Sequence, residues 1–149
     1  MTAQALWTPT RGPKTIMVSQ RAGTQTVNNS ETLVAHTELL FPVGADEQWG
    51  MNFYLRKLST VATIKFQFSI PSGGTFRYVR TNTAPGNETD HETNDTISSD
   101  AAIESASYIG LYVGGGTAGT INLTFAQNAA DLSNTSVVVG SYILATKLK

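Results

Sequence analysis

Hydrophobic and polar residues alternate along most of the chain with a period of two. The clearest example runs from Ile64 to Ile70, where every second side chain is apolar, and the turn-forming segment Pro71–Gly74 ends it. The same alternation marks three further segments: Trp49–Leu55, Ile109–Val113 and Ile121–Phe125. A period of two places successive side chains on opposite faces of a β-strand. The pattern therefore predicts strands that bury their apolar face, with Ile109, Leu111 and Val113 among the inward side chains.

Weaker alternation and turn signals complete the predicted set of strands. The additional candidates are Lys14–Gln20, Leu33–Val43, Thr75–Thr81 and a C-terminal run, Val137–Leu148, that bends at Gly140. In the last run, Gly140 marks a bulge or bend, and Tyr142, Leu144, Thr146 and Leu148 follow at every second position. No window of eleven residues has the apolar spacing of an amphipathic helix. Many short strands without a helix indicate an all-β fold, an antiparallel β-sandwich or jelly roll of about eight or nine strands.

The domain organisation follows from where the alternation begins. Residues 1–14 lack periodicity and contain Pro9 and Pro13, so we predict an extended N-terminal arm there. Residues 15–149 form a single domain of ordinary size.

The composition is poor in charge and rich in neutral polar residues. Charged residues make up 14% of the chain, against about 25% in a typical domain, whereas Thr, Ser and Asn number 21, 12 and 9. Neutral polar groups cost less to desolvate than ions do, so such a surface tolerates burial against a partner. With a net charge of −1 and no basic run, we expect no binding to nucleic acid.

The sequence carries no marker of disulfides, secretion or membrane insertion. The chain has no cysteine, its first residues do not resemble a signal peptide, and no apolar stretch approaches the length of a membrane span. We therefore expect a protein that is made in the cytoplasm and has no contact with a membrane.

Residues that would support catalysis or cofactor binding are scarce. The two histidines are His36, expected at the surface, and His91, and neither lies in a recognisable catalytic motif. The acidic loop Asn82–Ser99 contains Glu88–Glu92, which could bind a divalent cation but lacks the spacing of a calcium loop. We favour a solvated loop there, and we expect no enzyme activity, cofactor or metal.

Aromatic residues are the strongest candidates for partner binding. Trp7, with Leu6, stands on the predicted arm, where a large aromatic side chain often anchors a chain to its partner. Tyrosines on or near the strand faces opposite the apolar set would line a sugar-binding or subunit-contact surface, or simply pair across strands. These are Tyr54, Tyr78, Tyr108 and Tyr112.

Two stretches of the chain carry a resemblance to a known family. They are Gln25–Leu33 continuing through Leu39–Val43 and Glu47–Trp49 to Ile64–Gly73, and Gly116–Asn128 with Gly140–Lys147. Together they resemble a β-sandwich module of virion structural proteins from tailed bacteriophages, including tail-fibre and capsid-associated proteins. The resemblance covers roughly residues 24–149 and contributes no catalytic residue. It implies homotrimers that adhere to other virion proteins.

Three functions are compatible with these observations. The leading hypothesis is a capsid decoration (cement) protein that binds the major capsid protein through its arm and stabilises the head of the virion. The second is a tail-fibre or receptor-binding module, in which the loop Asn82–Ser99 and the tyrosines would grip host surface polysaccharide. The third, an enzyme, lacks a polar cluster in a cleft.

Overall fold

The structure is a computed structural model that describes residues 14–19, 23–59, 63–81, 90–91, 97–99 and 104–149. Within these ranges the chain forms twelve strands and no helix, which confirms the all-β prediction. The strands are β1 (Thr15–Ser19), β2 (Gln25–Asn28), β3 (Val34–Val43), β4 (Gln48–Ser59), β5 (Ile64–Ser69), β6 (Thr75–Arg80), β7 (Asp90–His91), β8 (Ile97–Ser99), β9 (Glu104–Val113), β10 (Gly119–Gln127), β11 (Asn134–Val137) and β12 (Tyr142–Lys147). In the same ranges, the structure has no helix of a length and hydropathy that would cross a membrane.

The strands form two antiparallel sheets. The large sheet has the order β1-β12-β4-β9-β6-β7, and β11 pairs with the far end of β4 and with β2. The small sheet has the order β3-β10-β5-β8. Strands β11 and β12 therefore pair with the same edge of β4, one after the other. The turn between these two strands contains Gly140 at a φ of 93°. A bend at Gly140, as predicted, is what allows both strands to follow β4.

The pairing of β3 to β10 defines the architecture. The pairs β3·β10, β4·β9, β5·β8 and β6·β7 are nested, each lying inside the preceding one along the chain. This segment is therefore one long antiparallel ribbon. The additional pairs β10·β5 and β9·β6 roll the ribbon up, and its strands then form two four-stranded layers. Such a double-sheet roll is a jelly roll, one of the two architectures that the sequence left open.

The core between the sheets is a cluster of aromatic rings. Phe53 of the large sheet stacks on Tyr108 with ring centroids 4.8 Å apart, and its edge contacts Phe68 of the small sheet at the same distance. Phe68 also meets Phe76 edge-on at 5.1 Å. Each such pair contributes about 0.5–1.5 kcal/mol beyond the burial of its area. These rings therefore hold the two sheets together as well as filling the space between them.

The predicted facing of β9 is wrong, and β12 also carries apolar residues on both faces. On β9 the buried side chains are Ala106, Tyr108 and Tyr112, whereas Ile109 and Leu111 point outward. On β12 the buried side chains are Ile143 and Ala145, while Tyr142 and Leu148 are exposed. Both strands carry apolar residues on both faces, so alternation alone does not tell which face is buried.

His36 lies in the core, which corrects its predicted position at the surface. It is 1% exposed and lies at a bulge of β3. In this bulge the four residues 36–39 of β3 stand opposite the single residue Leu123 of β10. The imidazole Nδ1 accepts hydrogen bonds from the backbone N–H groups of Glu38 and Leu39, at 3.1 and 3.0 Å. The side chain thus replaces the partners that β10 does not supply to the bulge. Because Nδ1 accepts two bonds, the ring is neutral there.

The side chain of Gln25 completes the bulge from β2. Its Nε2 donates to the carbonyl oxygen of Ala35 at 3.0 Å, and its Oε1 accepts from the backbone N–H of Thr37 at 2.9 Å. These bonds give hydrogen-bond partners to backbone groups in the irregular stretch of β3 and so help to fix its conformation.

Candidate functional site

The outer face of the large sheet carries a patch that we call the contact face. Strands β12, β4 and β9 are neighbours there, and their register brings outward side chains into two adjacent rows. Leu144, Asn52 and Ile109 form one row, and Tyr142 and Tyr54 lie in the next, with their ring centroids 5.7 Å apart. Leu111 lies opposite Gly50, one row further along β9. The contact face consists of Asn52, Tyr54, Ile109, Leu111, Tyr142 and Leu144.

The contact face is mostly apolar, partly exposed and uncharged. Ile109 and Leu111 on β9 are 47% and 45% exposed, and Tyr142 on β12, across β4 from them, is 39% exposed. Contiguous exposed apolar residues of this kind mark interaction sites, whereas scattered ones need no explanation. Charged groups lie at its margin: Arg77 is opposite Leu111 in the register with β6, and Arg56 follows Tyr54 as the next outward residue of β4.

The surface relief of the contact face consists of a ridge and hollows. A shallow hollow of about 300 Å³ is lined by Asn52, Tyr54, Tyr142 and Leu144, with Ile109 on its opposite side. A second hollow, of about 270 Å³, lies beyond Ile109 and is lined by residues of β6 and β9. Ile109 therefore stands as a ridge between two depressions of similar size.

A charge-assisted cluster positions the end of β12 beside β4. Glu47 accepts a hydrogen bond from Lys147 Nζ at 2.6 Å through one carboxylate oxygen. Its other oxygen accepts from the backbone N–H of Gly44 at 2.7 Å and from Trp49 Nε1 at 3.0 Å. The bond from Lys147, followed by the bond from Gly44, lowers the pKa of Glu47 from 4.5 to about 2. The cluster thus fastens the C-terminal strand to the turn between β3 and β4.

The predicted tyrosine surface is only partly present. Tyr54 is half-buried on the contact face, and its predicted role in partner binding stays a prediction. The expected outward position of Tyr78, Tyr108 and Tyr112 is wrong, because all three are at most 2% exposed in the core. Their rings are large and apolar enough to be buried, so they do not line a surface in this fold. Leu6 and Trp7 lie outside the described residues.

Sequence reasoning missed most of the contact face. The alternation predicts Ile109 and Leu111 in the core, and no sequence signal marks Tyr142 or Leu144 as part of an exposed patch. One signal pointed the other way: the residue between Ile109 and Leu111 is a glycine. A Cβ atom on Gly110 would lie 2.7 Å from Phe76 Cε2 and 2.8 Å from the carbonyl oxygen of Arg77, so the inner face of β9 has no space for a side chain there.

Two glycines between β9 and β10, Gly114 and Gly115, are closely packed. Gly114 donates its N–H to the carbonyl oxygen of Glu47 at 2.7 Å, and Gly115 accepts from the N–H of Asp46 at 2.8 Å. A Cβ atom on Gly115 would lie 2.5 Å from the carbonyl carbon of Gly73. The glycines therefore allow two loops to approach at one end of the roll.

The described residues contain no group of three or more His, Asp or Glu side chains close enough to hold a metal ion. Most of the acidic loop 82–99 lies outside the described residues. The segment Glu88–Glu92, which could bind a cation, lies largely outside the described residues as well, because only the backbone of Asp90–His91 is described there. The contact face is therefore the site that the geometry defines.

Comparisons with known proteins return distant structural similarity. No family model and no curated protein matches the chain. The chain is similar to the structure of Eiger TNF from S. frugiperda, with 13% identity and a TM-score of 0.43 over 93% of this chain and 94% of that one. It is also similar to the structure of infectious bursal disease virus Gt strain (11% identity, TM-score 0.27) and to the VP2 subviral particle of that virus (10%, 0.28).

The two viral matches cover 99% of this chain, which spans only 42% of the length of each viral chain. With TM-scores below 0.5, these similarities do not extend to function.

Proposed function

We propose that this protein is a structural component of a tailed-phage virion, and specifically a capsid decoration protein that stabilises the head. In this role it acts by contact and catalyses no reaction. Its partners are other copies of itself, as a homotrimer, and the major capsid protein. Bound to the assembled shell, it would stabilise that shell by mass action, because it binds the assembled state and not the separate subunits.

The contact face is the observation that carries the proposal. An uncharged patch of adjacent Ile, Leu and Tyr side chains on a rigid sheet suits burial against another protein, because aromatic residues are enriched and most charged residues depleted at interface cores. The resemblance of residues 24–149 to virion modules of tailed phages indicates which kind of assembly the face would serve.

The N-terminal segment is the proposed attachment to the capsid. Residues 1–14 contain Leu6 and Trp7 in a stretch without strand periodicity, and an aromatic anchor in such a segment is able to reach a neighbouring protein. Within the described part of that segment, Lys14 directly precedes β1 at the edge of the large sheet. The segment therefore joins the folded domain at the edge of the large sheet.

The test uses virions of the phage that encodes the chain. Gold-labelled antibody against the protein should decorate heads, and a variant that lacks residues 1–14 should fold but fail to bind heads stripped of the native protein. Trp7→Ala should weaken binding in the same direction. Virions without label, or normal head occupancy by the truncated protein with its circular-dichroism spectrum unchanged, would contradict the proposal.

A tail-fibre module that binds host polysaccharide is the second candidate. The observation in its favour is the hollow beside Tyr54 and Tyr142, where aromatic rings adjoin the amide of Asn52 without any charge. Rings with neutral hydrogen-bonding groups suit a sugar. Label on tails rather than heads, together with glycan-array signal lost in Tyr142→Ala, would favour this candidate over the first.

A further inference from the structure

We propose that the His36 bulge, residues 36–39 of β3, is a pH-sensitive switch: protonation of the imidazole opens this bulge and its link to β2, while the two sheets stay packed together. The closed bulge holds a neutral ring, and the open bulge exposes that ring to water. The switch belongs to the fold of the chain itself and does not depend on the proposed function.

The hydrogen bonds around the imidazole leave no place for a second proton. Nδ1 accepts from the backbone N–H groups of Glu38 and Leu39 at 3.1 and 3.0 Å, so the neutral ring carries its proton on Nε2. Nε2 is buried and has no hydrogen-bond partner among the described residues. A proton added to Nδ1 would point at two N–H donors, and neither ring nitrogen of the cation would have an acceptor. The bulge therefore has to open for the ring to be protonated.

The surroundings of the ring provide little negative charge to balance a cation. Within β3 the other ionisable residue is Glu38, and burial, which lowers the pKa of His36, outweighs the opposing charge of Glu38. Strands β1, β2 and β10 lie beside β3 and contain no ionisable residue. The ring of Phe125 on β10 lies 6.0 Å from the imidazole between centroids. The closed bulge is thus an environment that favours the neutral ring.

The side chain of Gln25 connects this bulge to β2. Its two backbone hydrogen bonds, to the carbonyl oxygen of Ala35 and from the N–H of Thr37, hold the residues on either side of His36. Strand β2 itself pairs with β11 and not with β3. Because both bonds depend on the backbone conformation around His36, the opening of the bulge breaks them as well.

The position of the bulge allows it to open without the rest of the roll. Strand β3 is the edge strand of the small sheet, and its ladder with β10 is interrupted between Asn122 and Thr124. By contrast, β4 and β9 have a paired strand on each side. A stretch with an interrupted ladder at an edge opens at a lower free energy than central strands do.

The experiment is amide hydrogen exchange on the full chain, followed by NMR at about pH 7 and about pH 5.5, with and without urea below about 1 M. Observed rates are compared with the intrinsic rate at each pH, which gives the protection of each amide. Protection of the Thr37, Glu38 and Leu39 amides should fall about fivefold between the two pH values, because the open bulge exposes an imidazole with the ordinary pKa of 6.5.

Dilute urea separates local opening from unfolding of the whole domain. Protection of the three bulge amides should not change with dilute urea, because a local opening exposes little surface. The amides of Phe53 on β4 and Tyr108 on β9 should be protected about tenfold or more above the bulge amides, and their protection should fall as urea is added.

Two histidine variants identify the group that titrates. His36→Asn should remove the pH effect on the bulge amides, because an amide side chain does not titrate, and His91→Asn is the matched control that should keep it. If circular dichroism shows that His36→Asn does not fold, the wild-type comparison in urea decides. Bulge amides equally protected at both pH values, or equal to Phe53 in protection and urea dependence, would overturn the inference.

Discussion

The outer faces of the two sheets differ in chemistry although both sheets share one core. On β10 and β5 of the small sheet, every outward side chain that reaches solvent is polar: Thr120, Asn122, Thr124, Lys65, Gln67 and Ser69. On β9 and β12 of the large sheet, five of the eight outward side chains are apolar or aromatic, namely Ile109, Leu111, Val113, Tyr142 and Leu144, and the other three are Ser105, Ser107 and Thr146. These strands of the large sheet therefore present more apolar surface to solvent than β10 and β5 do.

This difference separates residues that the fold requires to be buried from residues that it does not. The inward side chains of both sheets are apolar because they must leave water for the jelly roll to form. No such requirement acts on the outward positions, and β10 and β5 of the small sheet accordingly present polar residues to solvent. The exposed apolar residues on the large sheet are the feature that the proposed contact would account for.

The largest losses of stability should come from removing a core ring, and they should be similar for the inner faces of the two sheets. Phe53→Ala in the large sheet and Phe68→Ala in the small sheet each remove a ring from the central cluster. Each should lower the free energy of unfolding by about 3–5 kcal/mol, since a lost aromatic side chain leaves a cavity. Urea denaturation measures this. A loss below about 1 kcal/mol for either variant would show that the two sheets do not share one core.

The His36 bulge should give the next largest effect and a pH dependence. His36→Phe removes the acceptor of two backbone N–H groups and should cost about 2–4 kcal/mol. Burial lowers the pKa of His36 below 6.5, opposed by the charge of Glu38. The unfolded chain therefore binds the proton more readily, so stability is full above pH 6.5 and falls as the pH drops below 6.5.

His36→Asn separates these two properties, because its amide oxygen is still able to accept while the side chain does not titrate. The melting temperature of this variant should vary less between pH 7.5 and 5 than that of the wild type. His91→Asn is the control and should keep the wild-type dependence. If His36→Asn shows the full dependence, the bulge is not the acid-sensitive part of the small sheet.

The Glu47–Lys147 pair should give the smallest of these effects. Glu47→Gln should lower the free energy of unfolding by about 1 kcal/mol, because the pair is partly exposed at 21% and 33%. Since the pKa of Glu47 is lowered to about 2, its contribution is complete above pH 4.5 and disappears as the pH falls towards 2. A double-mutant cycle with Lys147→Met measures the coupling, and additive effects would show that the pair does not fasten β12.

The alternation of apolar and polar residues was sufficient to predict the fold class. It was not sufficient to predict, for every strand, which side chains point into the core. Ile64–Ser69 and Ile121–Phe125 alternate apolar with polar residues, and the structure buries the apolar side chains as predicted. In β9 and β12 both faces are apolar, and the choice depends on which side chains fit against the neighbouring sheet. Long-range packing, such as the ring contact of Tyr108 with Phe66 at 5.3 Å, makes that choice.

The candidate site was therefore the least predictable part of the molecule. Tyr54 was identified because it is an aromatic residue at a polar position of the alternation, whereas Ile109 and Leu111 are indistinguishable from core residues in sequence. The bulge at His36 also escaped prediction, since the side chains that support it come from β2 and from β3 itself. Such features depend on strand register, which alternation does not encode.

The most direct test of the account compares one outward position on each sheet. Because the chain has no cysteine, Ile109→Cys and Thr120→Cys each provide a single thiol for maleimide labelling. As protein concentration rises, labelling at position 109 should slow at least about tenfold relative to position 120. Equal labelling rates at the two positions at every concentration would contradict the claim that the large sheet offers a contact surface and the small sheet a solvated one.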